Sequence, residues 1–287
     1  MQTADKWTDY ELIDASDGER LERWGKYILR RPDPQVLWSG EKKSPLWSKA
    51  DAVYSREGGG GRWTKCDVPS SWNISYGELT FKIKPMGFKH TGLFPEQAAN
   101  WDRMAKMIRS SGRRIKVLNL FAYTGGATVA AAKAGAEVYH VDAAKNMVEM
   151  AKENAALSGC DDGSVRFFVD DCVKFLNYAK KKGITYDAII MDPPSYGRGP
   201  SGEVWKLEDE IGGFIRSASD VLSREPLFFI VNSYTAGLAP SAMGYMLDLY
   251  VKSKFGGRVY SDEIGLPVKN TGSALPCGGF AVWSREG

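Results

Sequence analysis

From about residue 97 onward the chain repeats one pattern: a short apolar run, a turn, and a stretch with helical spacing. The runs fall at 117–121, 137–142, 165–170, 187–191 and 227–232, separated by helical stretches at 126–134, 145–158, 172–182 and 204–223. A helix over 98–110, with Trp101, Met104, Ala105 and Ile108 at helical spacing, precedes the first run, and another over 241–254 follows the last. Parallel strands cannot be joined by a tight turn and need a crossover, usually a helix. The alternation therefore predicts an α/β fold built on a doubly wound, mostly parallel sheet. Two further strand candidates, 258–264 and 279–284, have no long helix between them and predict a terminal antiparallel hairpin, which brings the sheet to seven strands.

Residues 1–85 differ in texture. They hold Trp7, Trp24, Trp38, Trp47, Trp63 and Trp72 and turn clusters such as Arg31-Pro32-Asp33-Pro34 and Gly58-Gly59-Gly60-Gly61. Alternation in Tyr27-Ile28-Leu29-Arg30, Gln35-Val36-Leu37-Trp38 and Leu79-Thr80-Phe81-Lys82-Ile83 predicts short strands. The division is thus a small N-terminal β-rich module, 1–85, and a larger α/β domain, 86–287. The tryptophans read as the module's core, given the area each buries; stacking platforms for bases are the alternative.

Composition narrows the setting. No apolar stretch approaches the roughly 18 residues of a membrane span, and the polar, acidic start Met1–Lys6 does not read as a signal peptide. Cys66, Cys160, Cys172 and Cys277 have neither metal-ligand spacing nor a disulfide framework. A reduced cytoplasmic protein with no metal and no membrane partner is expected. The net charge of +3 permits a polyanionic partner without demanding one.

The ends of the runs carry the chemistry. In open α/β sheets ligands lie at the carboxyl ends of strands, near the switch in strand order. The first run opens into Phe121-Ala122-Tyr123-Thr124-Gly125-Gly126, where glycines let backbone approach a ligand; a plain tight turn is the alternative. The loop has neither the G-x-G-x-x-G of dinucleotide sites nor the lysine and Ser/Thr of a P-loop. It suits the amino-acid part of S-adenosylmethionine better than a phosphate. Asp142, with Ala143 after it, ends the second run and can accept both ribose hydroxyls or cap the next helix. After the third run, Asp171 is placed to accept from the adenine amine, beside Cys172, while Asp170 caps the helix.

The fourth run ends in Asp192-Pro193-Pro194-Ser195-Tyr196. Methyl transfer needs in-line approach of a nucleophile and exclusion of water. A rigid Asp-Pro-Pro turn offers a carboxylate and the Pro193 carbonyl as acceptors with no competing amides, and Tyr196 can stack on a planar base. The following segment, Gly197-Arg198-Gly199-Pro200-Ser201-Gly202, is either a closing loop or a bland surface loop, with Arg198 and Lys206 available to phosphate.

These residues resemble the S-adenosylmethionine-dependent methyltransferases of the large-subunit rRNA type, which includes cytosine-C5 and guanine-N7 enzymes. The resemblance covers about 86–287 and rests on Asn119-Leu120-Phe121-Ala122-Tyr123-Thr124-Gly125-Gly126, on Asp192-Pro193-Pro194-Ser195-Tyr196 and on Lys89-His90-Thr91-Gly92-Leu93-Phe94-Pro95-Glu96-Gln97. It implies a Rossmann-like domain, S-adenosylmethionine as cofactor, and cofactor contacts from Thr91, Phe94 and Gln97. The third segment departs from the family's K-T-G-x-F-x-D-Q by an inserted histidine and by Glu96 in place of Asp. The C5 relatives place a nucleophilic cysteine after the fifth strand, where this chain reads Val231-Asn232-Ser233-Tyr234. Cys277, in Leu275-Pro276-Cys277-Gly278, reads as a buried structural cysteine, with approach to the site from the tail as the alternative.

The leading reading is a methyltransferase acting on a base nitrogen in RNA, rRNA above all, gripped in part by the β-rich module. The alternatives are a protein amide, DNA or small-molecule acceptor, and, from another class, a non-catalytic RNA-binding protein on the same scaffold. The sequence leaves the oligomeric state open, a homodimer included.

Overall fold

The computed structural model describes residues 1–57, 60–198 and 204–285. The chain forms two compact units, Met1–Ala99 with Ile264–Cys277, and Asn100–Glu263 with Gly278–Gly287.

The first unit is built on β-structure. The short strand β1 (Gln2–Thr3) pairs in parallel with Ile264 and Gly265. A five-stranded sheet follows in the order β2 (Tyr10–Ser16), β3 (Glu19–Trp24), β4 (Tyr27–Pro32), β5 (Ala52–Glu57) and β6 (Gly60–Cys66). A separate hairpin comprises β7 (Trp72–Tyr76) and β8 (Leu79–Ile83). Trp24 and Trp47 are buried as expected of core residues, whereas Trp38 is 43% exposed. The expected strand at Gln35–Trp38 does not form. Asp33 accepts the amide hydrogen of Gln35 on its side chain (2.9 Å) and that of Val36 on its carbonyl (3.2 Å), closing a turn that competes with extended backbone.

The second unit contains the interleaved part of the chain. Its elements are α1 (Ala98–Ser110), β9 (Lys116–Leu120), α2 (Gly126–Lys133), β10 (Glu137–Asp142), α3 (Lys145–Leu157), β11 (Val165–Val169), α4 (Cys172–Lys182), β12 (Ala188–Met191), β13 (Tyr196–Arg198), β14 (Val204–Lys206), α5 (Leu207–Ser219), β15 (Phe228–Ser233), α6 (Pro240–Leu247), α7 (Ser253–Phe255), β16 (Arg258–Pro267) and β17 (Ala274–Ser284). The sheet has eight strands in the order β1-β16-β17-β15-β12-β9-β10-β11, the expected seven together with the short β1; β1, Ile264–Pro267 of β16 and Ala274–Cys277 of β17 belong to the first unit. The pairs from β15 to β11 are parallel and β17 runs antiparallel to β15. Every residue of β12 and β15 is buried, as parallel strands covered by helices on both faces must be. The helix expected over 204–223 starts three residues late, because Val204–Lys206 pairs with Tyr196–Arg198 as a hairpin. Glu208, Asp209 and Glu210 then fill the first turn of α5, where acidic groups complement the helix dipole.

The first unit carries a buried ionic cluster. Glu22, fully buried, accepts from Tyr10 Oη (2.8 Å) and from both Nε (2.6 Å) and Nη2 (2.8 Å) of Arg31, itself 2% exposed; Arg20 stands 3.3 Å away. Burial alone would raise the Glu22 carboxyl, but the guanidinium groups of Arg20 and Arg31 outweigh it and hold it at about 2. Because the folded value lies below the ordinary 4.5, this contribution is complete above that pH and is lost as the pH falls through about 2. Glu22→Gln leaves buried guanidinium charge uncompensated and is expected to cost about 3–5 kcal/mol. Urea unfolding at neutral pH measures this, and the deficit should shrink in acid.

Candidate active site at the carboxyl edge of the sheet

Strand order reverses between β12 and β9: from β9 the chain proceeds outward to β10 and β11, and from β12 outward to β15. A crevice at such a reversal is where open α/β sheets bind ligands. Met191 lies opposite Leu120, and Leu120 opposite Val141. The next residues along the chain, Asp192, Phe121 and Asp142, therefore leave the sheet side by side. Three separate sequence motifs converge here.

The loop after β9 is conformationally strained. Phe121 and Tyr123 have φ of 54° and 51°, and Gly125 has φ of 82°. Left-handed backbone costs a residue with a Cβ about 1–2 kcal/mol. Neighbouring strand ends hold it in place. The amide of Phe121 donates to Cys172 Sγ (3.3 Å), that of Ala122 to the Val141 carbonyl (3.1 Å), and that of Tyr123 to Asp142 Oδ2 (2.8 Å). Asp142 Oδ1 accepts from the Ala144 amide (2.8 Å). Asp142 is thus a brace for the loop and not the cap of α3, whose N-cap position is Ala144. Burial raises the Asp142 carboxyl above its ordinary value, and the two amides only partly reverse that. Each carboxylate oxygen keeps a second lone pair for a ligand hydroxyl. Ala143 is exposed beside it.

Gly125 and Gly126 are required by packing. A Cβ on Gly125 would lie 2.9 Å from Ala151 Cβ, and one on Gly126 would lie 2.7 Å from Trp101. Asn119 is 3% exposed and donates through Nδ2 to Thr128 Oγ1 (2.9 Å), which is 2.9 Å from His140 Nδ1. Burial pushes His140 down to about 3, so the ring is neutral. Asn119 therefore belongs to a buried polar network beneath the loop. Asn154, also fully buried, donates to the Thr124 carbonyl (2.8 Å) and ties the loop to α3. Thr128, His140 and Asn154 were not singled out from sequence; their signal was polar side chains at positions of helical and strand core spacing.

After β11, the helix cap is not the one expected. The cap of α4 is Asp171, whose Oδ1 accepts from the Lys174 amide (2.9 Å), whereas Asp170 accepts the amide of Asp171 (2.8 Å). A carboxylate adjoining a helix start is the better cap when its own backbone is extended, as at Asp171 (φ −70°, ψ 131°). Cys172 is buried, and burial drives its thiol far above the ordinary value.

In the turn after β12, Asp192 is half-buried and Pro193 buried, while Tyr196 is 52% exposed. The indole of Trp205 donates to the Pro194 carbonyl (2.7 Å), the Leu207 amide to the Ser195 carbonyl (3.1 Å), and Thr235 Oγ1 to Ser195 Oγ (2.7 Å). Tyr196 pairs with Lys206 across the β13–β14 hairpin, so the two share one face. The backbone of Arg198 lies in β13; its side chain and residues 199–203, which include most of the glycine-rich loop, lie outside the described residues. At the end of β15, Asn232 accepts from Asn100 Nδ2 (2.8 Å).

Thr91, Phe94 and Gln97 belong to the first unit. Thr91 and Gln97 are buried, and Phe94 is half-buried, preceding a 3-10 turn at Pro95–Gln97. Cys277 is also in that unit, buried, its thiol raised by burial and further by Glu96. Among the described residues no group of three or more His, Cys, Asp or Glu is arranged to hold a metal ion, and no helix is long and apolar enough to cross a membrane.

Gly125→Ala combines a left-handed φ with the Ala151 contact and is expected to lower stability by about 1–3 kcal/mol. Gly213→Ala, in α5 with open space around the position, is expected to stabilise by up to about 1 kcal/mol. Urea midpoints of the two variants check both signs.

Comparison with known proteins shows the family. The family model for S-adenosylmethionine-dependent methyltransferases matches residues 51–212, more than half of the 287-residue chain. The ribosomal RNA large subunit methyltransferase I of Aeromonas hydrophila is 40% identical over 107 residues, which cover 37% of this chain and 26% of that protein. The ribosomal RNA large subunit methyltransferase K/L of Shewanella baltica is 37% identical over 117 residues, covering 40% and 16% respectively. The chain thus spans about a quarter or less of the length of these two curated relatives. The crystal structure of the SAM-dependent methyltransferase from Agrobacterium tumefaciens is 34% identical, with a TM-score of 0.92, and the match covers 99% of this chain and 93% of that one. With a family match over most of its sheet edge and a solved relative over its whole length, the chain belongs to the S-adenosylmethionine-dependent methyltransferases.

Proposed function

We propose that this protein methylates a base nitrogen in RNA, ribosomal RNA being the expected source. The observation that carries the reading is the emergence of the Asp192-Pro193-Pro194 turn beside the Phe121–Gly126 loop and Asp142, at the reversal of strand order. S-adenosylmethionine, when bound, supplies a methyl group on a sulfonium, whose carbon–sulfur electron pair returns to sulfur on transfer. The strained loop gives that cofactor's amino-acid part a surface of backbone, and Asp142 accepts ribose hydroxyls with the lone pairs left by its two amide contacts. Asp171 lies beside the adenine end.

Asp192 and the Pro193 carbonyl accept hydrogen bonds from the acceptor N–H groups, which aims the nitrogen lone pair away from them and toward the methyl group. Asp192 then takes the proton that the methylated nitrogen sheds. Tyr196 offers an exposed ring for stacking on the base, and Lys206, on the same face, offers a cation to the adjoining phosphate. An RNA acceptor is favoured because both curated relatives described above are ribosomal RNA methyltransferases. Lysines and arginines of the β-rich unit add grip on the polyanion.

Nitrogen is favoured over C5 of cytosine by the cysteines. C5 chemistry needs a thiolate, and burial raises the thiols of Cys160, Cys172 and Cys277. Cys66 lies on β6 of the first unit. All four are free, which suits the reducing cytoplasm.

The test is tritiated-methyl transfer from S-adenosylmethionine to total RNA, ribosomal subunits, DNA and protein extract, followed by nucleoside mass spectrometry. Label in an N-methylated ribonucleoside is the expected result. Label in 5-methylcytosine, or in protein alone, overturns the reading. Asp192→Ala should reduce transfer at least about a hundredfold while leaving cofactor affinity within about twofold, because it removes only the acceptor-positioning group. Asp142→Ala should weaken cofactor binding by about tenfold or more, measured by calorimetry. Because the Asp142 carboxyl is raised and its ionised form is the better acceptor, wild-type affinity should fall as the pH drops through that raised value. The Asp142→Ala variant should lose this dependence.

A further inference from the structure

Two successive prolines leave the Asp192–Tyr196 turn without two of its amide donors. A turn short of donors leans more on groups that reach it from outside. Donors that reach it include Trp205 Nε1 on the Pro194 carbonyl (2.7 Å), the Leu207 amide on the Ser195 carbonyl (3.1 Å) and Thr235 Oγ1 on Ser195 Oγ (2.7 Å). Two of them come from one short segment, the end of β14 and the start of α5. That segment reaches the other half of the site as well. The Trp205 ring lies 5.6 Å from Phe121, centroid to centroid, at 47°, and 5.7 Å from Phe214, edge-on at 90°. Phe121 lies 5.2 Å from Phe214, so the three rings form one cluster.

We infer that Trp205 is a positioning residue that couples the cofactor loop to the acceptor turn; the inference rests on the methyltransfer reading above. With both proline φ angles locked by their rings, the remaining freedom of the turn lies in ψ, and the indole hydrogen bond sets it at Pro194. The Pro194–Ser195 peptide is thereby anchored, and because the Pro194 ring leaves only ψ free between the two peptide planes, the anchor limits where the Pro193–Pro194 peptide and the Pro193 carbonyl can lie. The same indole packs against Phe121, the first residue of the left-handed loop. A shift of Phe121 when the loop is occupied is thereby passed to the turn through one rigid side chain. Phenylalanine would keep the ring cluster but has no N–H to set the turn. The position therefore demands tryptophan for two separate contacts.

Trp205→Phe tests this in the full-length protein. The variant should fold with a thermal midpoint within about 4 °C of wild type and bind S-adenosylhomocysteine within about twofold. Its kcat for methyl transfer to ribosomal RNA should fall about tenfold or more with KM for S-adenosylmethionine little changed, the split expected when a nucleophile is held off line. Trp205→Ala, which also loses the ring contact with Phe121, should weaken S-adenosylhomocysteine binding as well.

A second readout does not depend on the acceptor. Nine tryptophans contribute to the emission, and Trp101 touches the loop at Gly126. The wild-type-minus-Trp205→Phe difference spectrum isolates Trp205, and it should change when S-adenosylhomocysteine is added. Unchanged kcat in Trp205→Phe, or a difference spectrum indifferent to S-adenosylhomocysteine, overturns the coupling. If wild type labels no acceptor at all, the functional reading fails, and the difference spectrum alone decides for or against the coupling.

Discussion

A single carboxylate holds the site together. Asp142 accepts the amide of Tyr123 on one oxygen and that of Ala144 on the other, and so joins the end of β10 to the loop that follows β9. Without such a brace the loop has no reason to keep two aromatic residues in left-handed backbone, a conformation costing each of them about 1–2 kcal/mol. The strain is distributed among several donors and acceptors from different strands, including Cys172 Sγ and the Val141 carbonyl. Backbone of this kind persists only where the surroundings over-determine it, and it clusters at sites that bind or react.

The layer beneath the loop explains its rigidity. Asn119, Thr128 and His140 form a chain of buried hydrogen bonds across β9, α2 and β10, and Asn154 adds a bond from α3 to the Thr124 carbonyl. A neutral His140 can accept at Nδ1, and burial keeps it neutral. Where two elements come closest, at Ala151 and at Trp101, only glycine fits. The glycines of the motif thus serve packing first. The shape of the loop backbone is thereby fixed from below.

The Asp192–Tyr196 turn is organised by the opposite principle. Its two prolines remove two amide donors, and side chains from segments that follow it in the chain, Trp205 and Thr235, donate to it. The β-rich unit follows its own logic, packing a small apolar core around Trp47 and a buried carboxylate shared by Tyr10, Arg20 and Arg31. A buried charge set of this kind constrains partners and geometry more than it adds net stability.

Much of this was legible in the residues alone. The alternation of apolar runs and helical stretches determined a doubly wound parallel sheet, because parallel neighbours require crossovers and crossovers have one hand. The same periodicity placed Phe121, Asp142, Asp171 and Asp192 at strand ends, and hence along one edge. Local patterns failed where a contact distant in sequence outweighed them. Val204–Lys206 reads as helix yet pairs with Tyr196–Arg198, and Gln35–Trp38 reads as strand yet is turned by Asp33. The choice of Asp171 over Asp170 as a cap, the left-handed loop and the contacts of Trp205 were settled only by tertiary structure. Each depends on backbone geometry or on partners brought together from separate elements, as Phe121 and Cys172 are across 51 residues and Asn100 and Asn232 across 132. Periodicity records which face of an element is buried, but the identity of the neighbour on that face is decided only when the chain has folded.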